Sequence, residues 1–198
     1  MIETEEIPSS PIVRLAPNVG MLPDNEFAVI FNLWGEVGGN FLEIGTSSGL
    51  TTRALAIGKP WAQVFTVDVP SQNDVHDDQR NEHAGAMLGY FALGLPNVFL
   101  FTKGSGNFHV MGKGIRMVFI DGDHREDAVW KDSEKAMSLA REGERFIVAW
   151  HDYEDGDRSD CGWLGVGRAV RRLAARYSIA IKHAKDTRIA FWRSWQHR

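Results

Sequence analysis

Hydrophobic positions along the chain fall into short apolar runs that alternate with longer stretches of helical periodicity. The central run Met117-Val118-Phe119-Ile120 is apolar at every position rather than at alternate ones. Strands that are buried on both faces have this composition, and parallel sheets covered by helices supply such strands. The runs predict strands over residues 41–44, 64–69, 98–101, 117–120 and 146–150.

Amphipathic segments separate these runs and predict helices. Asp24 or Asn25 can cap a first helix, which Gly38-Gly39 ends. The apolar residues of that helix recur at helical spacing: Phe27, Ile30, Phe31 and Trp34. Further helices are predicted over residues 50–57, 82–93, 125–140 and 166–177.

The last two apolar runs, 178–183 and 188–195, are separated by too few residues for a crossover helix. Parallel strands need a connection of a dozen or more residues, so this pair is predicted to form an antiparallel hairpin. The whole pattern predicts one open α/β domain over residues 24–198, with a mostly parallel, seven-stranded sheet flanked by helices.

Composition narrows the class of protein. Four of the seven prolines fall within residues 1–23, which predicts an extended, proline-rich N-terminal arm. The net charge of −4 argues against broad nucleic-acid binding, and the lone Cys161 excludes an intrachain disulfide. No apolar run is long enough for a membrane span, and the acidic N-terminus does not resemble a signal peptide. We therefore expect a soluble, cytoplasmic protein.

Two features suggest a nucleoside-bearing cofactor. Gly45 and Gly49 bracket a turn after the first predicted parallel strand, where the backbone can approach a ligand closely. Asp68 ends the next strand, 23 residues after Gly45. An acidic residue at that place accepts hydrogen bonds from ribose hydroxyls in nucleoside-binding α/β folds.

The sequence FLEIGTSSGLTTRALA, over residues 41–56, resembles the first motif of class I S-adenosylmethionine-dependent methyltransferases. The sequences IDGDH, over 120–124, and HDY, over 151–153, resemble a branch of small-molecule O-methyltransferases that includes macrolide-sugar and cephalosporin-cluster enzymes. The resemblance covers about residues 25–195 and implies a Rossmann-like fold. It also implies these cofactor-binding residues: Glu43, Gly45, Thr46, Ser47 and Gly49 at the methionine part, Asp68 at the ribose, Gly104 and Ser105 near the adenine, and Asp121.

Titratable residues follow two of the predicted strands. Asp121, Asp123 and His124 follow one strand, and His151 and Asp152 follow the next. Adjacent strand ends lie about 5 Å apart, so these side chains can converge into a donor set for a divalent cation such as Mg²⁺. The resemblance assigns Asp121, His151 and Asp152 as metal ligands. It assigns His124 as the base, and a histidine is suited to take a hydroxyl proton near neutral pH.

His151 departs from the family pattern, because the sugar-methylating relatives are expected to carry a carboxylate there. Imidazole is a poor ligand for Mg²⁺, so a softer ion such as Mn²⁺ or Zn²⁺, or no ion, are the alternatives. In the last case Asp121 and Asp152 cap helices, and His151 hydrogen-bonds the cofactor or the backbone.

These observations predict methyl transfer from S-adenosylmethionine to a hydroxyl oxygen of a small molecule, with a divalent cation as a candidate assistant. One alternative is an NAD-type or nucleotide-sugar oxidoreductase, which the serine at position 47 and the missing Tyr-x-x-x-Lys pair disfavour. Another is a non-catalytic module that binds the cofactor and a partner. The proline-rich arm and the C-terminal tryptophans are compatible with a homodimer.

Overall fold

One mixed sheet organises the computed structural model, which describes residues 2–7, 22–68, 88–102, 114–154 and 164–196. Within these ranges the sheet has eight strands in the order β1-β7-β8-β6-β5-β2-β3-β4. The strands are β1 Glu3–Glu5, β2 Asn40–Ile44, β3 Val64–Val67, β4 Val98–Phe101, β5 Ile115–Ile120, β6 Ile147–Trp150, β7 Ile181–Ala184 and β8 Ala190–Arg193. Only β8 runs antiparallel to its neighbours, β6 and β7.

The predicted fold class is confirmed: the sheet is mostly parallel and ends in an antiparallel hairpin. It has one strand more than the seven predicted. The additional strand, Glu3–Glu5, lies at the sheet edge and pairs in parallel with β7. Its sequence, Glu-Thr-Glu, has no apolar position that could have revealed it. Pro8, Pro11 and Pro17 of the predicted arm lie outside the described residues.

Helices in the described ranges are α1 Asp24–Val37, α2 Leu50–Gly58, α3 Glu126–Met137 and α4 Leu164–Tyr177. Pro23 holds the cap position before α1, so Asp24 lies in the first turn instead of capping it. Residues 82–87 of the helix predicted over 82–93 lie outside the described residues, and its remaining part contains a 3-10 turn, Tyr90–Ala92, instead. None of these helices combines the length and apolar character that crossing a membrane requires.

Both faces of the sheet are buried, as the uniformly apolar strands predict. Alternate residues of β5 point to opposite faces, so Val118 packs in the cluster beneath α3 and α4, whereas Phe119 packs in the cluster beneath α1 and α2. The tryptophans Trp150 and Trp34 are fully buried in these two clusters. Most of the predicted site residues that the structure describes lie in the loops that follow β2, β3, β5 and β6, at the carboxyl ends of these strands.

Candidate functional site

The turn between β2 and α2 packs tightly against neighbouring backbone. Gly45 has a φ of 102°, and a Cβ there would collide with the carbonyl oxygen of Asp121. Gly49 has a φ of 84°, and its Cβ would lie 2.9 Å from Cα of Gly89. Both positions favour glycine because they combine the left-handed backbone region with close contact. The turn thus lies directly against the loop that follows β5.

Asp68, at the end of β3, holds this turn in place. Its Oδ2 accepts hydrogen bonds from the backbone N–H groups of Thr46 and Ser47, each at 2.8 Å. Ser47 itself is exposed and adopts a φ of 47°. The contact fixes Asp68 beside the predicted cofactor loop, and its bond to a ribose stays a prediction.

Glu43 lies beneath the turn and is only 2% exposed. It accepts hydrogen bonds from the hydroxyls of Thr52 and Thr66, and the Thr66 hydroxyl lies 2.6 Å from that of Thr46. Burial raises the pKa of Glu43 to about 8, so its carboxyl group is mainly protonated at neutral pH. Glu43 supports the loop from below, and its predicted contact with the methionine part stays a prediction.

The turn also contains a buried hydroxyl that the described residues leave without a partner. Oγ of Ser48 has no hydrogen bond within the described ranges, although the residue is only 4% exposed. Buried hydroxyls are normally paired, so this atom suits a polar ligand. Gly104 and Ser105, the predicted adenine neighbours, lie outside the described residues.

A second group of polar side chains lies where β5 and β6 end. These strands pair in parallel with Ile120 opposite Trp150, which brings the residues after them together. Nδ1 of His151 lies 2.9 Å from Oδ1 of Asp121 and 3.4 Å from Oδ2 of Asp152. Nε2 of His124 lies 2.9 Å from the same Oδ2. The structure therefore brings together the four predicted catalytic and metal-ligating residues.

Two further residues of this cluster were not predicted from the sequence. Glu26, in the first turn of α1, places Oε2 2.8 Å from Nε2 of His151 and accepts the backbone N–H of Arg188 at 2.7 Å. Nη1 of Arg188 lies 2.6 Å from Oδ1 of Asp152. One signal for Glu26 was present: it shares a helical stripe with the apolar residues Ile30 and Leu33. Arg188, in the hairpin loop, gave no such signal.

The charged side chains of this cluster shift one another's pKa values. Burial on its own lowers the pKa of His151, but the carboxylates of Asp121, Asp152 and Glu26 raise it to about 12. Burial opposes ionisation of Asp152, yet His124, His151 and Arg188 hold its pKa well below the usual range. Glu26 likewise has a lowered pKa despite its burial, because of His151 and Arg188. Asp152 also adopts a φ of 54°, in the left-handed region that residues other than glycine adopt uncommonly.

The donor set fits a divalent cation. Asp121, His124 and Asp152 each offer a ligand atom within 4.8 Å of the others, and Nδ1 of His151 adjoins two of them. Adjacent ligands around an ion with bonds of about 2.1 Å lie about 3 Å apart, which is close to the distances of 2.9 and 3.4 Å from Nδ1 of His151 to Asp121 and Asp152. Among the described residues, three carboxylates face two positive groups, the His151 imidazolium and the Arg188 guanidinium. A divalent ion bound to Nδ1 of His151 would replace the proton there and bring the charge of these groups to zero. Asp123 instead pairs with Arg125.

Comparison with known families identifies the class of protein. A family model described as a methyltransferase domain matches residues 42–153, which is more than half of the chain. The chain belongs to this family of methyltransferase domains. A search of curated protein sequences found no match. Of the functions considered from the sequence, S-adenosylmethionine-dependent methylation is the one that the family match supports.

Solved structures with the same fold include three informative neighbours. A protein assigned as a caffeoyl-CoA O-methyltransferase from Staphylococcus aureus is 15% identical, with a TM-score of 0.65 over 89% of this chain and 85% of that one. The calicheamicin methyltransferase CalS11 is 14% identical, with a TM-score of 0.59 over 86% and 78%. An O-methyltransferase from Bacillus cereus, solved with SAH, is 19% identical, with a TM-score of 0.54 over 89% and 82%.

Proposed function

We propose that the protein transfers a methyl group from S-adenosylmethionine to a hydroxyl oxygen of a small molecule. The observation that carries this proposal is the contact between Gly45 and the backbone of Asp121. It makes the cofactor loop and the histidine–carboxylate cluster direct neighbours, as a transfer between two bound molecules requires. Two of the similar structures are described as O-methyltransferases, which supports oxygen as the acceptor atom.

S-adenosylmethionine supplies an electrophilic methyl group, and the chain's task is to hold it in line with the acceptor. Asp68 and the turn over residues 45–49 bind the cofactor, with the buried Ser48 hydroxyl as a further polar contact. The acceptor lies on the side of the loops that follow β5 and β6. The proposed acceptor is a small molecule. A homodimer, with which the proline-rich arm and the C-terminal tryptophans are compatible, stays a prediction.

His124 is the proposed base. The ionised carboxylate of Asp152, 2.9 Å from Nε2, favours the tautomer with its proton on Nε2. Nδ1 is then the basic nitrogen, and it would take the hydroxyl proton as the new oxygen–carbon bond forms and the sulfur–methyl bond breaks, which leaves S-adenosylhomocysteine. The side chain is 27% exposed, which keeps it accessible to an acceptor.

A divalent cation is the proposed assistant, held by Asp121, His151 and Asp152. Such an ion would lower the pKa of an acceptor hydroxyl and help to orient it. The convergence of these three residues and the charge of the cluster support this part of the proposal.

The deciding experiment is titration calorimetry of the purified protein in EDTA, first with S-adenosylmethionine and separately with NAD, the cofactor of the alternative oxidoreductase function. We expect S-adenosylmethionine to bind and NAD not to bind. Asp68→Ala should weaken binding about tenfold or more, because a carboxylate that holds two loop amides and accepts ribose hydrogen bonds is lost. Asp127→Ala removes an exposed carboxylate of α3 and is the matched control. Equal affinity in wild type and Asp68→Ala would contradict the ribose assignment.

A further inference from the structure

Glu26 makes contacts that methyl transfer itself does not require. Its carboxyl group is 3% exposed and lies between the ring of His151, at 2.8 Å, and the backbone N–H of Arg188, at 2.7 Å. Burying a carboxylate is costly unless it is paired, so this position on the apolar stripe of α1 needs an explanation. Packing alone would be served better by a leucine.

The contact with Glu26 determines which nitrogen of His151 faces the site. Nε2 donates its proton to Glu26, so the ring is fixed with Nδ1 directed at Asp121 and Asp152, where a bound cation would replace the proton on Nδ1. Arg188 in turn holds Asp152 through Nη1, while its backbone N–H holds Glu26. Metal-ligating histidines characteristically donate their second ring N–H to a carboxylate. This contact orients the ring and makes its other nitrogen a stronger metal ligand.

We propose that Glu26 is a positioning residue for the cation site and that the Glu26–His151 pair makes this site prefer Mn²⁺ or Zn²⁺ to Mg²⁺. The inference rests on the proposed function and deepens it. Imidazole nitrogen suits Mn²⁺ less than Zn²⁺ but either ion better than Mg²⁺, which is bound mainly by oxygen. The pair therefore sets the identity of the ion, and Asp121 with Asp152 supplies the charge.

The test begins with the full chain and S-adenosylmethionine in EDTA, so that cofactor binding is established before any ion is added. MnCl₂, ZnCl₂ and MgCl₂ are then titrated separately into the cofactor complex by calorimetry. We expect Mn²⁺ and Zn²⁺ to bind at least about tenfold more tightly than Mg²⁺. Pulsed electron paramagnetic resonance of bound Mn²⁺ should show coupling to a nitrogen nucleus.

Substitutions separate positioning from simple structural support. Glu26→Gln should weaken Mn²⁺ binding about 10–100-fold and leave the affinity for S-adenosylmethionine unchanged. Glu36→Gln is the matched control, because Glu36 lies on the same helix and pairs with the buried Arg193 away from the cluster. It should leave the affinity for Mn²⁺ unchanged even where it lowers the melting temperature.

A double variant, Glu26→Gln with His151→Asp, replaces the imidazole by oxygen and avoids placing two carboxylates in contact. We expect it to lose the nitrogen coupling and to shift its preference toward Mg²⁺, whereas His124→Ala should keep the coupling. A wild-type protein that binds S-adenosylmethionine but no divalent ion, or Mn²⁺ without nitrogen coupling, overturns this inference alone. Equal losses in Glu26→Gln and Glu36→Gln overturn it too. Failure to bind S-adenosylmethionine would instead contradict the proposed function.

Discussion

His124 and His151 follow neighbouring strands, yet their surroundings differ. His151 is buried, and both ring nitrogens face carboxylates, Asp121 on one side and Glu26 on the other. His124 is 27% exposed and approaches Asp152 through Nε2. A ring fixed on both sides is suited to hold a charge or an ion in place, whereas a ring at the edge of the cluster can exchange a proton with an acceptor.

At this scale we predict that His124→Ala separates catalysis from binding. Removing the base should lower kcat about 10²–10⁴-fold, while the affinity for S-adenosylmethionine stays unchanged because the cofactor turn is untouched. The measurement is release of S-adenosylhomocysteine with an acceptor found by screening hydroxylated small molecules, together with calorimetry of the cofactor. A parallel loss of cofactor affinity would show that His124 does not act only on the acceptor.

Single residues also show the limit of local patterns. Asp68, His124, His151 and Asp152 were identified because strand-end positions in an α/β sheet face the ligand edge. Glu26 was not, since its partner His151 is 125 residues away in the sequence. A charged residue on the apolar stripe of α1 is an unusual feature of the sequence, but nothing in the sequence names the residue that Glu26 contacts.

At the scale of elements, the site depends on two turns in contact, one after β2 and one after β5. β2 and β5 are adjacent in the sheet although β3 and β4 separate them along the chain. The register pairs Ile44 with Ile120, so Gly45 and Asp121 leave the sheet side by side. A side chain between them would separate the cofactor loop from the cluster.

Gly45→Ala is therefore expected to lower both stability and cofactor affinity. The new Cβ would collide with the Asp121 carbonyl and would also occupy a positive φ, so we expect a loss of more than about 2 kcal/mol. Gly143→Ala is the matched control, with a φ of 76° and open space around its Cβ. It should cost about 1 kcal/mol and leave S-adenosylmethionine binding unchanged. Thermal unfolding and calorimetry measure both effects, and equal costs at the two positions would contradict the predicted collision.

For the whole molecule, long-range ion pairs connect β8 with β1 and α1. Arg193 of β8 is 4% exposed and binds two carboxylates. These are Glu5, the last residue of β1, and Glu36, near the end of α1. These pairs span 188 and 157 residues of sequence. They join the edge strand β1, the hairpin and α1, and α1 carries Glu26.

We predict that Arg193→Met destabilises the fold by about 3 kcal/mol, because it leaves two carboxylates without their shared cation. Arg116→Met is the control, because the side chains of Arg116 and its partner Glu144 are 29% and 31% exposed, so this pair should contribute less than about 1 kcal/mol. Chemical unfolding gives the free energies, and hydrogen exchange reports on β1. Similar effects of the two substitutions would show that the Arg193 pairs add no more than a surface contact.

Lys59 provides a pH-dependent prediction. It is 9% exposed, its Nζ lies 4.2 Å from the Trp34 ring, and burial lowers its pKa to about 8. Below pH 8 the lysine is charged in both the folded and unfolded states, and burying that charge costs stability. Between pH 8 and the unfolded pKa of about 10.5, the folded state releases its proton first, so the stability contributed by this group rises with pH.

Lys59→Met should therefore stabilise the protein at pH 7 by about 1–2 kcal/mol, because the cation–π contact offsets only part of the burial cost. The advantage should shrink between pH 8 and pH 10.5, as measured by thermal unfolding across that range. Lys131→Met, at an exposed position of α3, serves as the control and should show no such trend. An advantage that does not change with pH would contradict the lowered pKa.

The sequence by itself determined the class of fold and the edge of the sheet that carries the chemistry. Both follow from short-range patterns: apolar runs such as 117–120 specify strands buried on both faces, and the turn around Gly45 and the Asp-His pairs follow such strands directly. The edge strand Glu3–Glu5 lacked such a pattern, because its pairing with β7 depends on backbone hydrogen bonds that any sequence can make.

Only the tertiary structure decided how the site is completed. Packing of α1 on the sheet brings Glu26 to His151, and antiparallel pairing of β8 with β6 brings Arg188 to Asp152. These contacts join residues that are separated by up to 162 positions, counting the bond from Arg188 to Glu26. No local periodicity encodes such a distance, because it is fixed by the order of strands in the sheet and by the burial of helices against it.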